Sequence, residues 1–185
     1  MEILYAYVDG GYVRNHLRQS GMPDEFDPWK IVQWQDRYLP GSTYGTVDRV
    51  FYYDALDRNA STDDATRQEA YLRRVSRLPF TRVETGYIRQ TRKLVREQKA
   101  VDVQLAVDAL EAALYNRARA IILVAGDGDF APLLDAIRRA GPFVTVVAFA
   151  KSLSAELRDA ADMVYELPDD FPREWLLAPT SQTIP

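Results

Sequence analysis

Cysteine is absent from this chain of 185 residues, and histidine occurs only once, as His16. The absence of cysteine excludes disulfides and thiolate metal sites, and it suits a reducing cytoplasm, which is where we expect the protein. A single histidine excludes multi-histidine zinc chemistry and leaves a histidine-based nucleophilic triad only one candidate. Any metal site must therefore be built mainly from oxygen ligands.

Long apolar runs are missing as well. No stretch approaches the roughly 18 apolar residues of a membrane helix, and no signal peptide opens the sequence, so we expect no membrane association. The hydrophobic fraction of 47% and the charged fraction of 27% are typical of a soluble globular protein. The length suits one domain with a proper core. We expect that domain over residues 1–167, followed by an extended or flexible extension, 168–185, that carries four prolines.

The net charge of -4 argues weakly against nucleic-acid binding, but basic residues cluster locally. Arg73, Arg74 and Arg77 precede a stretch, 82–99, that holds six basic residues against two glutamates. Such a stripe could hold a phosphodiester backbone, or it could be a solvated helix face. The charge pattern alone favours the second interpretation.

Apolar segments that read as strands alternate with segments that read as helices, which predicts an α/β fold. The predicted strands are Ile3–Val8, Val47–Tyr53, Thr81–Tyr87, Ala120–Ala125, Phe143–Phe149 and Met163–Leu167. The predicted helices are Trp29–Arg37, Ala65–Ser76, Val101–Asn116, Phe130–Ala140 and Ser152–Ala160. Gly141-Pro142 should end one helix, and Ser61 with Asp64 should form a capping box at the start of another.

Aspartates stand where these elements begin or end. Asp9 closes the first strand, Asp127 and Asp129 follow the fourth, and Asp102 lies in the first turn of a helix. Ligands of open parallel sheets bind at the strand ends, so these acids should gather there. Clustered carboxylates repel one another unless a cation neutralises them, which favours a metal site.

Each acid also has a purely structural interpretation. A helical wheel places Asp102 on the stripe of Leu105 and Ala109 that should face the sheet, which favours function over a simple helix-start acid. The same wheel places Asp108 toward solvent. Asp9 could simply cap the next helix. In the Asp127–Asp129 turn, one carboxylate should point into the crevice while the other caps the following helix.

Four segments together resemble the NYN branch of the PIN-like nucleases, in particular its LabA-like group. They are Tyr7–Gly11, Lys99–Asp108, Ala125–Leu133 and Ser154–Asp162, and they occur in family order. The resemblance implies a three-layer, Rossmann-like fold with a central, mostly parallel sheet. It also implies an endoribonuclease site for Mg²⁺ or Mn²⁺ built from Asp9, Asp102, Asp127 and Asp129, with RNA as the partner.

Two positions depart from the family pattern. Tyr12 stands where the family usually has Asn, and Ala125 stands where it commonly has Ser. Both changes leave fewer polar groups around the site. Asn15, one helical turn beyond Tyr12, is a candidate substitute.

Further residues are candidates for contacts around the metal or with RNA. These candidates are Asn15, Lys99, Asp108, Ser154, Arg14 and Arg18. Tyr12 and Tyr87 could stack on bases. His16 is expected at the surface rather than as a general base.

Two other functions remain open. One is a non-catalytic RNA-binding or regulatory module that keeps the fold, which the two departures favour. The other is a phosphotransfer domain of the receiver or haloacid-dehalogenase kind. Such domains have a second acid near the end of the first strand, and this sequence lacks it. A homodimer is also allowed, with Trp29, Trp34 and Trp175 as candidate surface residues.

Overall fold

The structure, a computed structural model, describes residues 3–33, 47–57, 60–90, 96–97, 99–115 and 117–177. The strands of this part are β1 Leu4–Asp9, β2 Arg49–Asp57, β3 Thr81–Gln90, β4 Arg96–Glu97, β5 Ala120–Val124, β6 Phe143–Phe149 and β7 Met163–Leu167. The α-helices are α1 Gly10–Gln19, α2 Pro28–Val32, α3 Thr62–Val75, α4 Lys99–Leu114, α5 Ala131–Ala140 and α6 Ala155–Ala160. Among them, no helix combines the length and the apolar character needed to cross a bilayer.

The strands form one sheet in the order β4-β3-β2-β1-β5-β6-β7. All neighbours pair in parallel except β3 and β4, which pair antiparallel. The chain winds outward from β1 through β2 to β3, and then returns to the other side of β1 to build β5, β6 and β7. The strand order therefore reverses between β1 and β5, and ligands of such folds bind at this point of reversal, the switch point. The predicted α/β fold with a mostly parallel sheet is confirmed.

Helices cover both faces of the sheet and create two hydrophobic cores. Val8 of β1 packs on one face among residues of α1, α2 and α3, whereas Tyr7 packs on the other among residues of α4, α5 and α6. A strand covered on both faces has no polar side to present. This explains why β1 and β5 read as nearly continuous apolar runs.

Most predicted elements exist, with changed boundaries. The strands β6 and β7 match their predicted ranges, whereas β3 extends to Gln90. The helix predicted over Trp29–Arg37 is the short α2, and its predicted continuation over 34–37 lies outside the described residues. Helix α1 directly follows β1, although it was absent from the predicted helices, and the two-residue β4 was also missed.

Both predicted helix-end signals are confirmed. Ser61 accepts a hydrogen bond from the Asp64 backbone N–H (3.1 Å) at the start of α3, and its hydroxyl donates to the Asp64 carboxylate (2.8 Å). Gly141 ends α5 with a left-handed φ of 117°, which residues with a side chain rarely adopt. Local sequence was sufficient here because both signals act within four residues.

The described part of the C-terminal extension, 168–177, packs against the domain. Phe171 and Trp175 are buried in the core that also contains Phe26, and Phe26 forms a β-bridge with Leu176. The proposal that Trp175 marks a dimer surface is therefore wrong, because this side chain is only 3% exposed. Trp29 is half-buried and donates its indole N–H to Thr81 (2.8 Å). Trp34 and residues 178–185 lie outside the described residues.

Candidate active site

Asp9 occupies the carboxyl end of the central strand β1, directly before α1. Its Oδ1 accepts the backbone N–H of Tyr12 (2.9 Å), so Asp9 caps this helix as one interpretation of the sequence predicted. It is nevertheless only 8% exposed. The pKa of Asp9 is raised to about 7, chiefly by burial and also by the charges of Asp102, Asp54 and Asp127, while the hydrogen bond from Tyr12 opposes the rise. The cap alone does not balance this buried acid.

The glycine after Asp9 lets α1 begin close to the sheet. A Cβ at Gly10 would lie 2.2 Å from the ring and hydroxyl of Tyr52 on β2. No side chain fits there, because real Cβ atoms do not approach so closely. The start of α1 is therefore fixed against β2, and Asp9 is held at the mouth of the crevice.

Asp102 lies on the first turn of α4, the helix that covers the face of the sheet opposite to α1. The predicted packing stripe is confirmed, because Leu105, Ala109 and Ala113 are each 1% exposed. Asp102 itself is half-buried at the upper end of this stripe. Burial, together with the charges of Asp127 and Asp129, raises the pKa of Asp102 to about 6. Asp102 is thus electrostatically coupled to the turn after β5.

That turn carries two exposed acids, and the capping acid is Asp127. Its Oδ1 accepts the Asp129 backbone N–H (2.9 Å) at the start of a 3-10 turn, Gly128–Phe130. No side chain caps the following helix α5. A Cβ at Gly128 would lie 3.0 Å from the Ser154 hydroxyl and 3.3 Å from a Glu156 carboxylate oxygen. Glu156 is therefore a further acid beside this turn, which the sequence reasoning had not selected.

The donor chemistry of these acids fits a hard divalent cation. The pKa shifts link Asp9 to Asp102 and Asp127, and they link Asp102 to Asp127 and Asp129. Asp9 and Asp127 each use only Oδ1 in their caps, among the described residues. Carboxylate oxygens are the ligands that Mg²⁺ and Mn²⁺ prefer. As the side chains stand, however, no three acidic or histidine residues of the described part form a ready coordination group.

A buried ion-pair network lies behind Asp9, and no local sequence pattern predicts it. Arg14 donates to Asp54 on β2 (2.7 Å) and to Asp24 (2.9 Å). Asp54 also accepts from the Tyr52 hydroxyl (3.2 Å) and from the backbone N–H that follows it (2.8 Å). Arg14, Asp24 and Asp54 are at most 5% exposed. Arg14 is therefore committed to structure, and its predicted contact with RNA phosphates is wrong.

The neighbouring candidates on α1 have a related role. Arg18 donates its Nε to Asp24 (2.7 Å) and its Nη1 to Asn15 (3.4 Å). Although burial raises the pKa of Asp24, the charges of Arg14 and Arg18 hold it below its usual value. Arg18 thus supports the buried network while remaining about half exposed. Asn15 is exposed and bonds to Arg18, so the structure does not place it as a substitute beside Asp9.

Tyr12 ties the start of α1 to the end of β6. Its hydroxyl accepts the Phe149 backbone N–H (2.8 Å) and lies 2.8 Å from the Ser152 hydroxyl. The ring of Tyr12 packs directly on Gly126, since a Cβ added to this glycine would lie 2.6 Å from a ring carbon of Tyr12. Tyr12 therefore braces the strand ends, and its ring is not open for stacking on a base. Ala125 is fully buried.

The single histidine is a packing residue. His16 stacks on Phe149 with ring centroids 3.5 Å apart and planes 5° apart. Burial lowers its pKa, an effect that Asp169 opposes. It is half-buried rather than at the surface as predicted, and its stacking on Phe149 agrees with the view that it is a packing residue and not a general base.

The remaining candidates divide between two ends of the sheet. Ser154 caps α6 by accepting the Leu157 backbone N–H (3.1 Å), and it lies beside the Gly128 turn. Asp108 is half-buried instead of solvent-facing, since its carboxylate accepts from Tyr53 (2.7 Å) and Gln104 (2.8 Å). The side chains of Lys99 and Tyr87 are outside the described part.

The predicted basic stripe does not form one surface in the described part. Arg73 and Arg74 of α3 pair with Glu69 and Glu25. Arg82 lies on β3, away from the acidic crevice. The other basic residues of this stretch, at positions 89, 92, 93, 96 and 99, have side chains outside the described residues.

The fold and the acids define an α/β protein whose carboxylates surround the switch point of a parallel sheet. The family model of the NYN domain matches residues 5–168, and the chain belongs to this family of PIN-like nucleases. The chain is also similar to a crystal structure of a protein of unknown function from Vibrio parahaemolyticus, with 27% identity and a TM-score of 0.64. That similarity covers 92% of this chain and 95% of the other. No curated protein matches the chain significantly.

Proposed function

We propose that this protein is a metal-dependent endoribonuclease that hydrolyses RNA phosphodiester bonds at the Asp9–Asp102–Asp127–Asp129 cluster. The observation that carries the proposal is Asp9, a buried acid at the switch point whose pKa is raised by burial and by other acids, without a balancing cation among the described residues. Membership of the NYN family supports it, because PIN-like nucleases generally use divalent metal ions. Mg²⁺ or Mn²⁺ is the expected ion, and the cytoplasm the expected location.

The residues divide the work by position. Asp9 ends β1, Asp102 lies on the first turn of α4, and Asp127 and Asp129 lie in the turn after β5, so together they would hold an ion at the strand ends. A bound divalent ion supplies a polarised phosphate and an activated water. Asp9 and Asp127 keep one carboxylate oxygen each for that role because their other oxygen fixes the local turn. The Tyr12 bracing holds this geometry.

The decisive test is cleavage of a labelled RNA pool with Mg²⁺ or Mn²⁺, with EDTA as the metal-free arm. We expect cutting by the wild type, none with EDTA, and at least about a hundredfold less by Asp127→Asn. Asp135→Asn, which removes an exposed acid on α5, is the matched control and should retain activity. Metal-dependent cutting that survives in Asp127→Asn would contradict the assigned site.

The second candidate is a non-catalytic RNA-binding or regulatory module. It is favoured by the absence of a ready coordination group in the described part and by the commitment of the Tyr12 hydroxyl to Phe149 and Ser152. RNA binding that persists in Asp127→Asn, with no cutting by the wild type under any metal, would establish this alternative. The homodimer remains a prediction, to be tested by sedimentation.

A further inference from the structure

A second concave site lies at the opposite end of the sheet from the acids. It is a cavity of about 260 Å³ between α4 and the amino-terminal halves of β1, β2 and β3. Arg49 lines the cavity at the start of β2. Tyr53, four residues further along the same strand, is in register with Asp9. At about 3.3 Å per residue, the two levels are roughly 13 Å apart. The cavity is therefore distinct from the acidic crevice.

The cavity joins an aromatic wall to a group of arginines. Tyr5 and Phe51 form the aromatic part, with ring centroids 5.5 Å apart and planes at 77°, and both are half-buried. The three arginines of the lining are Arg49, Arg82 and Arg117, and all are exposed. Aromatic rings beside guanidinium groups are the features that hold the bases and phosphates of nucleotides.

The positive charge of the three arginines is only partly balanced. Arg82 uses its Nε in an ion pair with Glu84, and Arg117 lies over the Tyr115 ring at 5.1 Å. Arg49 makes no hydrogen bond or ion pair within the described part of the chain.

Two acids of the lining, Asp108 and Glu111, balance part of this charge. Asp108 already accepts hydrogen bonds at both carboxylate oxygens. Glu111, exposed on the α4 wall, is the other acid. The guanidinium groups of Arg49, which has no ion pair in the described part, and of Arg117, which lies over a ring, therefore offer N–H donors to an anion in the cavity.

We propose that this cavity binds a nucleotide, either free or as part of an RNA chain. Arg49, Arg82 and Arg117 hold its phosphate, because a guanidinium offers paired N–H donors to phosphate oxygens. The base packs against Tyr5 and Phe51, and the Glu111 carboxylate accepts a hydrogen bond from a base N–H. Binding here is independent of cleavage at the acids.

Calorimetric titration tests the proposal in EDTA, where no metal-dependent cutting occurs. The probes are adenosine and guanosine 5′-monophosphates, the matching uncharged nucleosides, and a six-nucleotide RNA. We expect binding of the monophosphates or the RNA, and at least about tenfold weaker binding by Arg49→Gln/Arg117→Gln. Arg173→Gln removes an exposed arginine from the other face of the sheet and should leave the affinity unchanged.

The probes distinguish the two sources of the ligand. Arginine-dependent binding of the monophosphates indicates a free nucleotide, and arginine-dependent binding of the RNA alone indicates a chain segment. The proposal is overturned if neither probe binds, if the nucleosides bind as well as the phosphates, or if Arg173→Gln weakens binding as much as the double variant. Circular dichroism of the double variant confirms that it is folded.

Discussion

Asp9 and Asp102 are the residues on which folding and function make opposite demands. An Asp pKa raised from 3.8 to about 7 or about 6 means that the folded state holds protons more tightly than the unfolded state. Their contribution therefore favours folding at low pH and is lost as the pH rises from about 4 to about 7. A cation in the crevice would reverse this loss, because it favours the charged carboxylates.

Metal should consequently stabilise the protein more at high pH than at low pH. We expect about 10 mM Mg²⁺ to raise the melting temperature only slightly at about pH 5.5 and more at about pH 8. Thermal unfolding at a series of pH values, with Mg²⁺ and with EDTA, measures this. An increment that shrinks as the pH rises would contradict the assignment.

Asp9→Asn/Asp102→Asn isolates these two groups from others that titrate nearby. His16 has a lowered pKa and so contributes in the opposite direction, with stability that rises with pH. In the double variant the metal increment should vanish, while the Asn at position 9 still caps α1. The metal-free variant should be more stable than the wild type at pH 8, by about 1–3 kcal/mol.

Helix α1 is held to the sheet by the Arg14 network. Replacement of Arg14 by Ala would leave Asp24 and Asp54 buried without their cation, and we expect a loss of about 3–5 kcal/mol. Urea unfolding measures this loss. Arg139→Ala, at an exposed position on α5, is the control and should cost less than about 0.5 kcal/mol. A normally stable Arg14→Ala with weakened RNA binding would restore the phosphate role.

The turn after β5 depends on two glycines to different degrees. A Cβ at Gly126 would lie 2.2 Å from the Ser152 carbonyl oxygen, whereas at Gly128 the nearest atom is a side-chain hydroxyl at 3.0 Å. We expect Gly126→Ala to cost about 1–3 kcal/mol and Gly128→Ala clearly less. Chemical denaturation of both variants checks the order. Equal costs would show that the turn adapts freely.

At the scale of the whole molecule, the domain should extend beyond the family match at residue 168. Trp175 is 3% exposed in the core, and Leu177 donates its backbone N–H to Glu25 (3.0 Å). Proteins truncated after residue 177 and after residue 168 should therefore differ in melting temperature, since only the first keeps these contacts. Truncation after residue 168 should destabilise the protein strongly, since loss of a buried Trp alone costs about 3–5 kcal/mol. Two equally stable truncated proteins would show that the domain ends before Phe171.

A feature can be predicted from the sequence when the residues that interact to form it are close together in the chain. Strand periodicity, the Ser61 cap and the α4 stripe depend on neighbours within a few residues, and these predictions are confirmed. The Arg14–Asp54 pair spans 40 residues and the Tyr12–Phe149 bond spans 137. No local pattern indicates such partners, which is why Arg14 was mistaken for an RNA contact.

The acidic site shows the same limit. Parallel-sheet topology brings strand ends together, so Asp9, Asp102 and the turn after β5 could be selected from their positions alone. Glu156 reaches that turn only through the packing of α6, and Asp54 is an acid inside an otherwise apolar strand. Both belong to the surroundings of the site, and both required the structure to be found.

The most direct measurement is a Mn²⁺ anomalous difference map from crystals of the wild-type protein soaked at about pH 8. We expect a peak between Asp9, Asp102 and the Asp127–Asp129 turn, with carboxylate oxygens at about 2.0–2.2 Å. The same soak of Asp127→Asn should give a weaker peak or none. A map with no peak in this crevice at saturating Mn²⁺, or with a peak only elsewhere, would contradict the account.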